Sequence, residues 1–269
     1  MNRLLLNRLI MVLSTISAIV GIVFLFWILA TLSIKGVSSM HFNIFFNDLV
    51  NGGIRNLLVG QFTMAIIATI IGVPLGMMAG IYLREYSNDS TLASIMRNLS
   101  DVMMSAPSIV IGVFVYAIMV SPVNQYNGWA GSVALSIMMI PIIISTTDNM
   151  LSLVPKELRE AGIALGGSKH KIIVQIVLRA AKVGITTGVL LAFARIIGET
   201  APLLFTSANN AYFTMNMSDQ FPSLTVSIYN LANYPDSASR DLAWAAAFVL
   251  TMIVLFINIT GRFITRERR

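Results

Sequence analysis

Apolar residues along this chain come in long runs, separated by short segments that gather most of the charge. Six runs reach the roughly 20 residues that a helix needs to cross a hydrocarbon core about 30 Å thick. They are Leu9 to Ile34, Leu57 to Leu83, Val102 to Val120, Trp129 to Thr147, Val183 to Phe205 and Ala243 to Gly261. The pattern predicts an all-α integral membrane protein with six transmembrane helices. The first run follows a basic start, as a signal peptide would, but it far exceeds the roughly 7–15 residues of such a segment, and no A-x-A-like site follows. It reads as a retained span.

The segments between spans have patterns of their own. From Ser90 to Met103, Leu92, Ile95, Met96, Leu99, Val102 and Met103 share one helical stripe, with Arg97 and Asp101 elsewhere. That predicts a short interfacial helix leading into the third span; the alternative is a solvated loop. After the fifth span comes a polar loop, SANNAYFTMNMSDQFPSLTVSIYNLANYPDSASRDLA. Loops this long are functional or disordered, and its Tyr and Phe favour order against an external partner. The second span carries Gly72, Gly76 and Gly80, a ladder that lets a neighbouring helix approach closely, with Pro74 inside it as a candidate kink.

Composition agrees with lipid as the solvent. The chain is 56% hydrophobic and 11% charged, with a mean hydropathy of +0.79; a soluble domain carries about 25% charged residues. The net charge of +6 forms no single patch for nucleic acid. Instead the basic residues alternate from side to side. With the N-terminus cytoplasmic, Arg3, Arg8, Arg84, Arg97, Lys156, Arg159, Lys169, Lys171, Arg179, Lys182, Arg262, Arg266, Arg268 and Arg269 fall inside. Only Lys35, Arg55 and Arg240 fall outside, so both termini are expected in the cytoplasm. No cysteine is present, which excludes disulfides and thiolate metal sites.

Arg195 is the exception, because it lies within a span. Glu199 follows four residues later in FARIIGETAPLLF. On a continuous helix at about 100° per residue, both share a face with Gly184, Gly188 and Ala192, while Val189, Leu190, Phe193 and Ile197 point outward. Arg195 would lie about 18 Å into the span from Val183, too deep to reach the interface easily. A charge at mid-membrane costs about 2.5–3.5 kcal/mol on insertion scales. An ion pair that fixes helix register explains the couple; so does a transport pathway, where a guanidinium fork suits an oxyanion. Thr200 adds a hydroxyl nearby, and Pro202 frees a carbonyl one turn earlier.

Between the fourth and fifth spans, PKELREAGIALGGSKHKIIVQIVLRAAK predicts a projecting helix–turn–helix. Pro155 starts the first helix, Gly166 and Gly167 supply left-handed geometry at its end, and Ser168 caps the second. The second helix carries Ile172, Ile173, Ile176 and Val177 on its apolar side.

Glu160-Ala161-Gly162, then Gly166, then Ile176 and Leu178 resembles the EAA loop of ABC importer permeases. Gly162 stands where that pattern has alanine, costing the helix about 1 kcal/mol, and Arg179 stands where proline is common. APSIVIG (Ala106 to Gly112), LLAFARIIGETAPLLF (Leu190 to Phe205) and SIYNLANYPDSASRDLAWAAAFVL (Ser227 to Leu250) are similar to PstA-type permeases of phosphate importers. The resemblance implies a MetI-like, type I importer core formed by spans 2–6. On it, residues 1–55 are an N-terminal start, first span and outer loop, and 56–269 the permease domain, with its coupling loop at about 155–180. It also implies that Glu160, Ala161, Gly162 and Gly166 dock in a cytoplasmic ATPase, and that Arg195 and Glu199, with Thr200 beside them, belong to the phosphate pathway. The implied partners are a PstC-type permease, a PstB-type ATPase dimer and a PstS-type phosphate-binding protein, in a prokaryotic plasma or inner membrane. ATP and Mg would be used by the ATPase, with no cofactor, metal or catalytic residue on this chain.

Other function classes fare worse on the residues. GIALGGSK (Gly162 to Lys169) nearly matches a phosphate-binding loop, but its lysine and serine are transposed and it follows a helix. The histidines, His41 and His170, fall in loops, and no HExxH occurs. A secondary transporter or channel would be expected to show internal inverted repeats, and none is visible. Within the ABC class, a permease for sulfate, molybdate or another oxyanion is the alternative.

Overall fold

The computed structural model describes residues 3–87 and 90–266, so Arg268 and Arg269, counted above among the inner basic residues, lie outside it. All regular structure among the described residues is helical. In order come α1 (Arg3–Ser38), α2 (Arg55–Ile81), α3 (Thr91–Ser105), α4 (Ser108–Val115), α5 (Gly128–Ser152), α6 (Lys156–Ala164), α7 (Lys169–Ile172), α8 (Leu178–Ile197), α9 (Ala201–Thr206), α10 (Leu224–Ala232) and α11 (Ser237–Arg266). Three π turns extend helices: Tyr82–Tyr86 after α2, Tyr116–Val120 after α4, and Ile173–Val177 between α7 and α8.

Five stretches are long and apolar enough to cross a membrane: Asn7–Ser38, Arg55–Tyr86, Gly128–Ser152, Lys169–Ile197 and Ser237–Phe263. A sixth span is not one straight helix. Thr91–Ser105 and Ser108–Val123 meet at a bend of 99°. The expected third span, Val102 to Val120, is therefore corrected: Val102 to Ser105 end the short helix α3, and the chain bends before it restarts as a helix at Ser108. The fifth is corrected too, because α8 ends at Ile197 and α9 begins at Ala201.

The core is built around α2 and α5, whose packing is the most extensive in the molecule. The glycine ladder explains why. A Cβ at Gly76 would lie 2.7 Å from the Cβ of Ile143, and one at Gly80 2.7 Å from the Cβ of Thr147, distances real side chains do not tolerate. Gly72 faces Met139 more loosely, at 3.4 Å from a Cβ placed there, and α2 continues through Pro74. Helix α8 repeats the device on an adjacent strip of α5, with Gly184 against Met150 and Gly188 against Thr146. By contrast α1 is exposed over its apolar length and joins the rest at its C-terminal end, where Gly36 meets Phe248 and Lys35 sits 4.9 Å above the Trp244 ring.

Part of the long loop after α9 packs against its own chain. Phe221 and Met217 are buried in the main core beside Met64 and Leu135, and α10 packs on α11 and α2.

Candidate functional site

Two broken helices converge in this fold. Pro107 cannot donate a backbone hydrogen bond and biases Ala106 toward extended geometry, so α3 stops with Ala106 at φ −64°, ψ 139°. The chain restarts at Ser108. The second break spans Gly198 to Thr200; Pro202 then sits in the first turn of α9, where its missing N–H costs nothing. The two restarted helices touch: a Cβ at Gly112 of α4 would lie 2.7 Å from Pro202 Cα.

Breaking a helix orphans carbonyls, and buried orphans must find partners. Here side chains from two other helices supply them. The Gln61 amide of α2 donates to the Ile197 carbonyl at 2.8 Å, and the Thr225 hydroxyl of α10 donates to that of Glu199 at 2.8 Å. Gln61 Oε1 in turn accepts from the Ser223 hydroxyl at 3.0 Å and the Leu224 N–H at 3.1 Å. The irregular backbone is thus held in place by a buried polar network.

Arg195 stands in the last turn of α8 and Glu199 within the break. Their nearest charged atoms are 3.7 Å apart, an ion pair without a hydrogen bond. The Arg195 side chain is 54% exposed and that of Glu199 18%. Among the described residues the guanidinium has no hydrogen-bond acceptor, so its five donors stay available. It borders a crevice walled by Met103, Met104, Ala106, Ile111 and Met138. Ser108, first residue of α4, brings its hydroxyl to the Glu199 carboxylate. Thr200 caps α9 by position, its carbonyl accepting from the N–H groups of Leu203 at 3.1 Å and Leu204 at 3.2 Å.

The expected helical face needs correction. Gly184 and Gly188 do pack on α5, but Arg195 turns to the exposed side and Glu199 lies beyond the helix. Ile197, expected to point outward, is 1% exposed; Val189 and Phe193 pack against the core, and Leu190 meets Gly261 of α11. Wheel angles mislead here because they show one helix without its neighbours: α2 and α11 also pack on α8 and cover the face taken as outward.

At the far end of α8 the projecting helix pair is present. Helix α6 begins directly after Pro155 and ends at Ala164, with Gly166 just beyond it at φ +78°. Gly167 does not take the expected left-handed geometry, and Ser168 occupies the cap position without a side-chain bond. Gly162 is explained by packing: a Cβ there would come within 2.9 Å of Ile176 Cδ1 and 3.0 Å of Ile172 Cγ1. Glu160 and Ala161 are exposed, as are Ile163 and Leu165, the latter at 88%. From Lys169 the helix runs unbroken to Ile197, so one rod joins this loop to the break that carries Arg195 and Glu199.

Sequence reasoning missed two ion pairs beside the loop. Arg159 of α6 reaches Glu85 at 2.6 Å and also donates to the carbonyls of Val154 at 2.7 Å and Leu151 at 2.9 Å. Arg97 of α3 meets Asp148 of α5 at 2.7 Å. It missed Gln61, Ser108 and Thr225 as well. A polar amide inside an apolar run was the signal for Gln61; the pairings themselves join residues 26 to 163 positions apart, which no local pattern reveals. No cluster of three or more His, Asp or Glu suited to a metal occurs among the described residues.

Comparison with known proteins places this arrangement. The family of binding-protein-dependent transport system inner membrane components matches residues 72–267. Proteins called phosphate transport system permease protein PstA are similar over nearly the whole length. The one from Haemophilus influenzae is 46% identical, covering 98% of this chain and 95% of its own. That from Yersinia pestis is 43% identical, covering 98% and 91%. A probable PstA permease of Methanocaldococcus jannaschii is 34% identical over 81% of this chain and 78% of its own. Among solved structures, an inward-facing MetNI methionine ABC transporter aligns with a TM-score of 0.64 at 19% identity, covering 85% of this chain and 99% of that one. A bacterial ABC transporter importing alginate aligns with a TM-score of 0.69 at 13% identity, covering 97% and 96%. These two establish shared fold. Matched by the family over most of its length, the chain is a multi-pass membrane permease of the binding-protein-dependent transport system inner membrane components.

Proposed function

We infer that this chain forms part of the phosphate pathway of an ABC importer, with Arg195 as the anion-facing group. The observation that carries the reading is a guanidinium with unused donors at the meeting point of two broken helices, in an otherwise apolar span. Irregular backbone at membrane depth persists where it is buried or lines a passage. Arg195 offers two parallel N–H groups to adjacent oxygens of a tetrahedral anion, and the Thr200 hydroxyl beside the break can add a donor. Glu199 supplies the selectivity. Phosphate near neutral pH keeps a P–OH that a carboxylate can accept, whereas sulfate has no proton to give and is repelled. That argument favours phosphate over sulfate, as do the names of the similar permeases.

The excess of basic residues at the α6 end favours a cytoplasmic position for that end and for both termini. Exposed Glu160, Ala161, Ile163 and Leu165 then present a docking knob to an ATPase, where ATP and Mg would be used. Movement of α6 would pass through the rod from Lys169 to Ile197, about 43 Å long at 1.5 Å per residue, directly into the Gly198–Thr200 break. Opening and closing there gives alternating access. A homologous PstC-type permease would complete the pathway on the exposed side of Arg195, and a PstS-type protein would deliver phosphate from outside.

Uptake into vesicles carrying the complete transporter tests this. Phosphate entry should require ATP, survive collapse of the proton gradient, and be competed by arsenate far better than by sulfate. Entry driven by the proton gradient without ATP, or equal competition by sulfate, would overturn the reading.

A further inference from the structure

We propose that a groove between α2 and α8 binds an anionic phospholipid, one molecule seated along this chain beside the rod. The groove has a volume of about 410 Å³. Its wall is apolar, formed by Met77 of α2 and by Leu178, Ile185 and Val189 of α8. Arg179 and Lys182, one turn apart toward the α7 end, line the same groove, with Thr186 a turn further in. Both basic side chains are exposed and neither has an acidic partner among the described residues.

Depth fits a headgroup. No charge occurs on α8 from Val183 to Ala194, whereas Lys169, Lys171, Arg179 and Lys182 crowd the end of the rod toward α7, the pattern of a helix passing from hydrocarbon to a basic membrane surface. Arg179 and Lys182 therefore stand at headgroup level, while Ile185 and Val189 lie among the acyl chains. Basic pockets between membrane helices capture acidic lipid headgroups, each cation contributing about 1 kcal/mol. A free phosphate would satisfy the cations and leave the apolar wall uncovered. A zwitterionic lipid would cover the wall but bring its own cation to the basic pair. Only an anionic phospholipid matches both halves of the groove. The groove also lies on a different side of α8 from Arg195, which faces the α3–α4 bend, so lipid and transported anion would not compete.

The test uses the assembled transporter, purified in mild detergent, stripped of lipid and titrated with phosphatidylglycerol or phosphatidylcholine, with retained lipid counted by native mass spectrometry. The wild type should retain phosphatidylglycerol in preference. Joint Arg179→Gln and Lys182→Gln replacement should lose one such lipid per copy of this chain, its apparent affinity falling about 30-fold, the equivalent of about 2 kcal/mol for two cations. Thr186→Trp, at an exposed position, fills the groove without touching the charges and should displace the same lipid. Unchanged retention in the double variant, or equal retention of phosphatidylcholine by the wild type, would overturn the proposal. So would a double variant that fails to assemble with its partner subunits, since the basic pair would then belong to a protein contact.

Discussion

Replacing Gln61 with leucine isolates the polar network that holds the fifth span open. Leucine matches glutamine closely in volume, so no large cavity forms, but three hydrogen bonds disappear: those with the Ile197 carbonyl at 2.8 Å, the Ser223 hydroxyl at 3.0 Å and the Leu224 N–H at 3.1 Å. Ser223 keeps Thr225 as a neighbour at 3.3 Å, which leaves two backbone groups buried without partners. Each such group costs about 1–3 kcal/mol, so Gln61→Leu should destabilise the chain by roughly 2–6 kcal/mol. That is a large share of the about 5–15 kcal/mol that folded domains possess. Thermal unfolding of the detergent-solubilised transporter should show a midpoint lower by roughly 4 °C or more. Phosphate uptake should fall further than assembly does, because the Ile197 carbonyl anchors the break beside Glu199. Gln61→Glu separates donor from acceptor: its carboxylate can still accept from Leu224 but cannot donate to Ile197. The carboxylate variant should therefore keep the Leu224 bond, lose the Ile197 bond and melt below the wild type. A Gln61→Leu protein with unchanged melting and unchanged uptake would refute the role assigned to the network.

Three further outcomes follow from packing and charge. Gly76→Leu should disrupt the α2–α5 contact, since even a Cβ lies 2.7 Å from that of Ile143; a loss of at least about 1–3 kcal/mol is expected, read as reduced yield and a lower melting temperature. Arg159→Leu strands the buried Glu85 carboxylate and should cost about 3–5 kcal/mol; exchanging the two residues should not rescue it, because a glutamate at 159 cannot donate to the carbonyls of Val154 and Leu151. Gly166→Ala meets no neighbour within 4 Å, so its expected cost of about 1–2 kcal/mol comes from φ +78° alone, and ATPase coupling should weaken while the spans stay intact.

The sequence made the membrane architecture legible because hydrocarbon imposes length and composition on every crossing helix. Gly72, Gly76 and Gly80 announced a close helix contact, and Gly166 its left-handed turn, since both depend on local chemistry. What escaped is tertiary. Pro107 and Pro202 mark the breaks, yet neither says that Gly112 will rest on Pro202. The wheel sent Ile197 outward because it shows one helix without its neighbours, whereas the fold buries it beside Gln61, 136 residues away. The Tyr and Phe of the outer loop pointed to order, but no window of sequence says that Phe221 enters the core beside Met64. Arg195 and Glu199 were found as charges out of place; the hydroxyls of Ser108 and Thr225 that complete their setting look ordinary in any window of sequence.

Phosphate uptake by vesicles bearing the complete transporter with Arg195→Gln tests the central claim most directly, with assembly checked by co-purification and Arg195→Lys measured alongside. The account predicts that glutamine abolishes uptake with assembly intact, and that lysine, a point charge without the paired donors, restores only a minor part. Normal phosphate uptake by the assembled Arg195→Gln transporter would contradict it.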